Sequence, residues 1–294
     1  EFKSRAEVRE RFGVVRDMIG AGPWAPGEPT DDTAMACCVA EVIIANPADP
    51  CATLAAELHR WARTARDVGP TVTAAMARFE TLGDALAASQ TTAQAQSTTV
   101  ADNGSLVRVL PIVLAYRELD TARLWAARQS AITHWQAEAE ACVVLYVTWI
   151  HELLADDSPR RAWSRAVADT ARWASDVVAD SRTHGPRPLT EDFWRRFETA
   201  GQRNEDMLQP SGYATGAVEC LEAAVWSVLH YDSFESRVVA AINLAGDADS
   251  IGALTGGAAG AIDGLGAIPT RWHDVLVGRE RLSQLADALT LTRR

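Results

Sequence analysis

Two clusters of acidic and hydroxyl residues lie near opposite ends of the chain, at residues 30–32 (Thr-Asp-Asp) and 247–250 (Asp-Ala-Asp-Ser). Each cluster stands where a segment rich in small apolar residues begins. Carboxylate and hydroxyl oxygens are the ligands that hard divalent cations such as Mg²⁺ and Mn²⁺ prefer, and the sequence offers no comparable set of softer ligands. If folding brings the clusters together, they form a site for divalent cations.

Helix capping is the simpler explanation for either cluster alone. Asp, Ser and Thr are common N-cap residues, and acids are favoured at the positive end of the helix dipole. Capping accounts for one acid per helix, whereas each cluster contains two acids and a hydroxyl. Because their convergence without a cation would be repulsive, the two clusters together favour a metal site.

The segments that must position these clusters carry apolar residues at intervals of three and four, which is a helical period. Alternating runs typical of strands are nearly absent. We therefore predict an all-α fold, a single compact multi-helix domain over residues 1–294. The predicted helices cover residues 33–45, 52–66, 106–117, 121–133, 137–154, 161–180, 190–200, 214–230, 234–243 and 250–263.

Breakers separate these segments at residues 20–30, 89–105, 181–190, 201–213 and 264–270. The stretch at residues 89–99 (SQTTAQAQSTT) is polar and low in complexity. It predicts a surface loop, with a lid over a ligand as the alternative.

Composition narrows the classes of function. The chain has 294 residues, a hydrophobic fraction of 48% and a formal net charge of −11, from 39 acids and 28 bases. No apolar run or leader predicts a membrane segment, and a broad nucleic-acid surface would need positive charge. We expect a soluble, cytoplasmic monomer whose five cysteines are reduced, because their number is odd and their spacing does not suit a metal.

Three further motifs are weak when taken alone. Asn103-Gly104-Ser105 precedes a predicted helix, whose free N–H groups suit a phosphate, although Asn-Gly is usually only a turn. His134 ends a helical run and is by default structural, and Tyr213 opens a helix where a packed ring is the ordinary interpretation.

With these motifs the chain resembles the ADP-ribosylglycohydrolase family, the relatives of dinitrogenase-reductase-activating glycohydrolase. The matching signatures occur in the order of the family and are spread over most of the chain. They are PGEPTDDTAMA at 26–36, NGSLVRVLP at 103–111, ITHWQAEA at 132–139, SGYATGAVECLEAAVWS at 211–227 and NLAGDADSIGALTGGAAGAIDGLGAIPTRW at 243–272.

The resemblance implies an all-helical fold with a central binuclear site for two Mg²⁺ or Mn²⁺ ions. It assigns six metal ligands, with Ser250 in place of the more usual Thr, namely Thr30, Asp31, Asp32, Asp247, Asp249 and Ser250. It also implies binding of ADP-ribose: Asn103, Gly104 and Ser105 would hold the diphosphate, and His134 and Tyr213 would line the ribose or adenine side.

The implied reaction is metal-dependent hydrolysis of the C1″ glycosidic bond of ADP-ribosylated protein, with arginine linkage favoured, or of a related conjugate. Two cations about 3.5–4 Å apart would grip the distal ribose. Asp31 or Asp249 would position the attacking water. The family begins with a Gly-Asp-x-x-Gly-x-x-x-Glu helix, of which only the final acid has a counterpart here, Glu1. Glu1 is therefore a candidate acid/base, and we expect the chain to lack the first helix of the family.

Three alternatives stay open at this point. A non-catalytic ADP-ribose-binding or toxin-immunity protein on the same fold would explain the missing Gly-Asp segment. Two-metal phosphoester or pyrophosphate hydrolysis would use the same ligand types. A purely structural helical protein would need no metal. Nucleic acid enters only as an ADP-ribosylated substrate.

Overall fold

The computed structural model describes residues 2–20, 22–96, 101–155, 158–180, 189–208 and 216–292, with the backbone alone for 176–180 and 207. Within these ranges all regular structure is helical, and the only β-type pairings are two isolated bridges. The predicted all-α fold is confirmed. The α-helices are α1 (Arg5–Phe12), α2 (Asp31–Ala45), α3 (Pro50–Ala62), α4 (Pro70–Leu82), α5 (Ala85–Ala95), α6 (Leu110–Ala115), α7 (Leu119–Ala131), α8 (Ala137–Leu153), α9 (Pro159–Asp180), α10 (Glu191–Glu198), α11 (Ala217–His230), α12 (Phe234–Asn243), α13 (Ala248–Asp263), α14 (Thr270–Val275) and α15 (Arg279–Leu291), with 3₁₀ turns at Ala200–Gln202, Glu205–Met207 and Leu265–Ala267.

The core is built around α8. Most of this helix is buried on all sides, including the fully enclosed Tyr146 and Trp149. A helix that is apolar around its whole circumference must be surrounded by others, and α8 contacts α7, α9, α11 and α13. The largest hydrophobic cluster extends from α2 to α15, which places the two ends of the chain on one core.

Helix α13 packs very closely against α8 because it is rich in small residues. A Cβ atom added at Gly257 would lie 2.4 Å from Tyr146 Oη and 3.2 Å from Leu110 Cδ2. The Tyr146 hydroxyl donates a hydrogen bond of 2.9 Å to the Leu254 carbonyl, across the same contact. The backbone of α13 is therefore fixed against the core, which holds its N-terminus in place.

The prediction of a loop at residues 89–99 is wrong for its first part, because residues 85–95 form α5. Asp84 caps α5. The hydroxyl of Thr92, a buried residue of this helix, donates a hydrogen bond of 2.8 Å to the Ala88 carbonyl. Buried Ser and Thr side chains give little hydrophobic periodicity, which hid the helix in the sequence. Residues 97–100 lie outside the described residues.

Four further helices, α1, α4, α14 and α15, were not predicted, and the predicted segment 106–117 is helical only as α6. Helix α1 has no buried residue, and α15 buries Leu289 alone. Helices that bury so little carry a weak apolar stripe, so their period is hard to detect. Of these four helices only α1 has a side-chain cap, the capping box of Ser4 and Glu7.

The structure also describes the five cysteines and the apolar character of the helices. All five cysteines are free, and Cys38, Cys142 and Cys220 are buried. Burial raises the pKa of each of these thiols, which keeps them in the uncharged form. Among the described helices, none combines the length and the apolar character needed to cross a bilayer.

Candidate metal and substrate site

The N-termini of α2 and α13 meet, and this brings the two acidic clusters together. Asp31, Asp32 and Asp249 each place a carboxylate oxygen within 4.8 Å of the others. Asp247 lies beside this group at the N-cap of α13, and Thr30 occupies the N-cap of α2. The clusters are more than 200 residues apart in the chain, so their convergence is the central structural result.

Tight backbone turns position both clusters of acids. Gly27 has φ +75° and lies so close to the segment after α14 that a Cβ there would be 1.9 Å from the Val275 carbonyl oxygen. Ala245 and Gly246 also have positive φ, at 65° and 68°. Gly246 pairs with Lys3 through an isolated bridge. The backbone that leads into each cluster is therefore held by residues distant in sequence.

Helix capping does not account for the acids of these two clusters. Neither Thr30 nor Asp247 makes a side-chain capping hydrogen bond, although each occupies an N-cap position. Elsewhere in the fold, Asp49 and Asp84 do cap α3 and α5. The side chains of Thr30 and Asp247 therefore do not serve as N-caps of these two helices.

Two carboxylate oxygens in the site, Asp32 Oδ2 and Asp249 Oδ1, are buried and have no hydrogen-bond partner among the described residues. Asp32 is only 5% exposed. A buried, unpaired carboxylate oxygen is costly. An all-oxygen group of this kind fits a hard divalent cation, which would supply the missing partner.

The raised pKa values of the acids also fit a site for a divalent cation. Burial, followed by repulsion from Asp67 and Asp249, raises the pKa of Asp31 to about 6. Burial and repulsion from Asp249 raise the pKa of Asp247 to about 7. The pKa of Asp32 is also raised, by burial and by repulsion from its three acidic neighbours. Without a cation the site therefore retains protons near neutral pH.

The Asn103 loop, residues 101–109 just before α6, lies on one side of the acidic group. The Asn103 side chain donates a hydrogen bond of 2.8 Å to Asp247 Oδ2, and the backbone carbonyl of Asn103 accepts from the Leu106 and Val107 amides. The Ser250 hydroxyl lies beside Asp247 and favours its charged form by hydrogen bonding. These contacts fix the orientation of Asp247.

Ser105 occupies a different position from its neighbours. Its side chain is fully buried, and its hydroxyl makes a hydrogen bond of 2.8 Å with Ser130 Oγ. Its carbonyl accepts a hydrogen bond from Gln129 Nε2 at 2.9 Å. Ser105 thus joins the loop to the end of α7.

Arg108 is a buried residue that sequence analysis did not single out. Its guanidinium donates to Gln129 Oε1 at 2.7 Å, to the Gln129 carbonyl at 2.8 Å and to Thr133 Oγ1 at 2.8 Å. Burial lowers the pKa of Arg108 to about 10, still far above neutral pH. This charged group ties the Asn103 loop to the segment that carries His134.

His134 is placed next to the Asn103 loop. Its Nε2 atom pairs with Asp102 Oδ1, and its Nδ1 atom lies 2.7 Å from Thr133 Oγ1. A Cβ added at Gly104 would lie 3.3 Å from His134 Cε1, so the ring packs on this glycine. Asp102 was also missed by sequence analysis, because nothing in the sequence pairs it with a histidine 32 residues away.

Comparison with known proteins identifies the family of this chain. A model of the family described as ADP-ribosylglycohydrolase matches residues 1–294. The chain belongs to the ADP-ribosylglycohydrolase family. It is 30% identical to the ADP-ribosylarginine hydrolase Tri1 of Pseudomonas putida (strain GB-1), over 94% of this chain and 70% of that protein. It is 28% identical to the ADP-ribosyl-dinitrogen reductase glycohydrolase of Rhodospirillum rubrum, over 99% and 90% of the two chains.

A solved structure titled ADP-ribosylglycohydrolase-related protein complex has the same fold. Its TM-score is 0.74 at 30% sequence identity, and the match covers 97% of this chain and 89% of that one. The predicted family and its reaction class, hydrolysis of the glycosidic bond of ADP-ribosyl conjugates, are confirmed.

Within this ADP-ribosylglycohydrolase, the structure brings together most of the residues predicted from the sequence. The acids of the two helix starts meet, Asp247 accepts a hydrogen bond from Asn103, and Gly104 packs against His134. Glu1 and Tyr213 lie outside the described residues. Their predicted roles, like the roles of the other site residues, stay predictions.

Proposed function

We propose that this chain is a divalent-cation-dependent hydrolase that releases ADP-ribose from arginine residues of ADP-ribosylated protein. The observation that carries the proposal is the group of Asp31, Asp32 and Asp249, with carboxylate oxygens within 4.8 Å and two of them unpartnered in a buried site. Arginine linkage is favoured because the similar proteins of Pseudomonas putida and Serratia proteamaculans, each 30% identical, are named ADP-ribosylarginine hydrolases.

Two Mg²⁺ or Mn²⁺ ions would be held by oxygens of the two helix starts. The ligands would be Thr30, Asp31, Asp32, Asp247, Asp249 and Ser250. When bound, such cations supply Lewis acidity that orients the hydroxyls of the distal ribose and favours deprotonation of the attacking water. The Asn103 amide, which donates to Asp247, would keep that carboxylate turned toward the cations.

The residues of the chain would then carry the proton chemistry. Asp31 or Asp249 accepts a hydrogen bond from the attacking water, orients it toward C1″ and takes its proton as the new C–O bond forms. The bond between C1″ and the arginine nitrogen breaks with its electron pair on nitrogen. The carboxyl group then returns the proton taken from water to that nitrogen, so the carboxylate is regenerated. Charge builds at C1″ in an oxocarbenium-like transition state, which neighbouring carboxylates stabilise.

The rest of ADP-ribose would lie along the Asn103 loop. Asn103 and Gly104 are the proposed contacts of the diphosphate, which would displace the 3.3 Å hydrogen bond from the Gly104 amide to Asp102 Oδ1. Ser105 would act by anchoring the loop to Ser130. His134, held by Asp102, would line the ribose side. Tyr213 is the proposed adenine contact.

The test is release of free ADP-ribose from arginine-ADP-ribosylated protein, with Mg²⁺, with Mn²⁺ and with EDTA. We expect release only with a divalent cation. We expect Asp249→Asn to lower turnover by roughly 100-fold or more, because general-base and ligand functions are both lost. Asp287→Asn makes the same charge change on exposed α15 and should leave turnover unchanged.

Each alternative has its own outcome. Unchanged turnover in Asp249→Asn would show that the reaction centre lies elsewhere. Metal-dependent binding of ADP-ribose without release would identify a binding protein, and AMP in place of ADP-ribose would identify a pyrophosphate hydrolase. Release of ADP-ribose from serine-linked but not from arginine-linked protein would support the hydrolase activity and contradict the proposed arginine linkage.

A further inference from the structure

A cavity away from the acidic group lies between the turn that joins α4 to α5, the start of α3 and the end of α7. Its volume is about 450 Å³, within the roughly 300–1,000 Å³ typical of small-molecule pockets. Asp49 and Cys51 on its rim follow the C-terminal end of α2, whereas the acidic group lies at the other end, about 20 Å along the helix axis. None of the described residues lining it belongs to the acidic group or to the Asn103 loop.

The fold keeps this cavity open. Gly83 ends α4 with φ +67°, and Asp84 starts α5 immediately afterwards, so the two helices reverse direction at its edge. Small residues such as Ala127 and Ala131 of α7 leave space on the opposite side. The large apolar residues of the wall are Phe79, Leu86 and Ile132.

The charged groups of the cavity are not all used by the protein. Asp49 and Asp84 accept hydrogen bonds from backbone amides at the starts of α3 and α5. Glu140 near the start of α8 has no hydrogen bond or ion pair through its side chain among the described residues. Arg128 is likewise without an ion pair in the described part of the chain, so the two do not pair with each other.

The balance of charge favours a cation in this cavity. Three acids and one base line it, an excess of two negative charges. Burial raises the pKa of Glu140 to about 7. A cation placed beside this carboxylate would favour its charged form, whereas a neutral or anionic ligand would leave its burial uncompensated.

We infer that this cavity binds a small organic cation with an apolar body, whose ammonium or amidinium group lies against Glu140 and whose apolar part lies against Phe79 and Ile132. The site goes beyond the proposed hydrolase reaction and does not depend on it. A ring with a short cationic arm would use both features of the wall, its apolar surface and its unpaired carboxylate.

A matched series of indole compounds tests the inference by calorimetry. Tryptamine is cationic, tryptophol is neutral, and indole-3-propionate is anionic, with nearly the same ring and arm. We expect tryptamine to bind about tenfold more tightly than tryptophol, as a charge-assisted contact predicts, and the anion to bind most weakly. Glu140→Gln should remove the advantage of tryptamine over tryptophol.

Two variants and a labelling measurement locate the binding. Ala131→Phe fills the cavity and should abolish binding of all three compounds, with thermal melts to verify folding. Asp249→Asn should bind tryptamine as the natural chain does. Tryptamine should also slow alkylation of Cys51, which lines the cavity, when labelling is followed by peptide mass spectrometry.

Several results would overturn the inference. Tightest binding of indole-3-propionate would make Arg128 the anchor and an anion the ligand. Loss of tryptamine binding in Asp249→Asn, with Glu140→Gln unaffected, would place the cation in the acidic group. Absence of binding by all three at millimolar concentration would exclude the proposed ligand class. None of these results depends on whether ADP-ribose is released.

Discussion

At the scale of single residues, the site depends on carboxylates that the protein itself leaves unsatisfied. Asp32 and Asp249 each have a buried oxygen without a partner in the described structure. Asp247 differs, because Asn103 supplies a donor to it. The group is thus partly oriented by the protein and partly open, as a site that receives a cation from solution requires.

Asn103 provides a test of this orientation. Asn103→Ala removes the 2.8 Å hydrogen bond to Asp247. Because residues that orient metal ligands typically contribute 10–100-fold to affinity, we expect divalent-cation affinity to fall by about tenfold. Titration of Mg²⁺ or Mn²⁺ with thermal unfolding as the readout measures this.

Asn103→Asp is the matched comparison, since it keeps the size but replaces the donor with a second carboxylate. We expect it to be less stable than the natural chain in EDTA and to recover stability when the cation is added. Natural affinity in Asn103→Ala would refute a positioning role for this residue.

At the scale of elements, helix α13 combines two properties that oppose each other. Glycines lower helix stability by roughly 1 kcal/mol each relative to Ala, yet close packing on α8 requires Gly257. Its neighbour Gly256 has nothing within 4 Å of an added Cβ. Gly256 therefore shows only the low helix propensity of glycine, whereas Gly257 also allows the close contact with α8.

This contrast gives an element-scale prediction. Gly257→Ala should destabilise the protein by about 1–3 kcal/mol, because the methyl group overpacks against Tyr146 and Leu110. Gly256→Ala should be neutral or stabilising by up to about 1 kcal/mol. Urea unfolding of both variants checks the pair. Equal effects would mean that α13 does not pack on α8 as closely as described.

At the scale of the whole molecule, distant parts of the chain hold the site together. The Asn243 side chain exchanges hydrogen bonds of 2.8 and 3.0 Å with the backbone of Val15. Trp272 Nε1 donates to the Arg16 carbonyl at 2.8 Å. The segment that leads into Thr30 is thereby fixed by α12 and α14, so local unfolding of either end would disturb the acidic group.

Global stability should therefore report on the acidic group. In the cation-free protein, the pKa values of Asp31 and Asp247 are about 6 and about 7, above the value of about 3.9 expected in the unfolded chain. Between these limits the folded state binds more protons than the unfolded state. The free energy of unfolding should consequently fall as pH rises from about 4 to about 8.

We expect the melting temperature in EDTA to decrease across pH 5–8, by about 2–4 °C for each kcal/mol lost. A saturating divalent cation should stabilise the protein more at pH 8 than at pH 5, because the cation competes with protons for the same oxygens. Asp31→Asn should flatten the pH dependence in EDTA. A cation effect that is independent of pH would contradict the assignment.

The all-α fold class follows from the sequence alone, and the sequence also predicts which residues are candidate ligands. Helical period and the scarcity of alternating runs predicted an all-α fold, since this pattern reflects which face of each segment is buried. The acids at residues 30–32 and 247–250 indicated divalent-cation chemistry because their oxygens are hard ligands. Both inferences use local properties of residues, which a sequence contains in full.

Which residues come into contact, and how their side chains are oriented, follows from the tertiary structure. The bond from Asn103 to Asp247, the pairing of His134 with Asp102 and the burial of Ser105 against Ser130 all join segments separated in sequence. The same holds for α5, whose polar residues are buried by α4, and for the cavity beside Glu140. Such contacts depend on backbone packing and rotamers that no local pattern specifies, because many chain paths are compatible with the same helices.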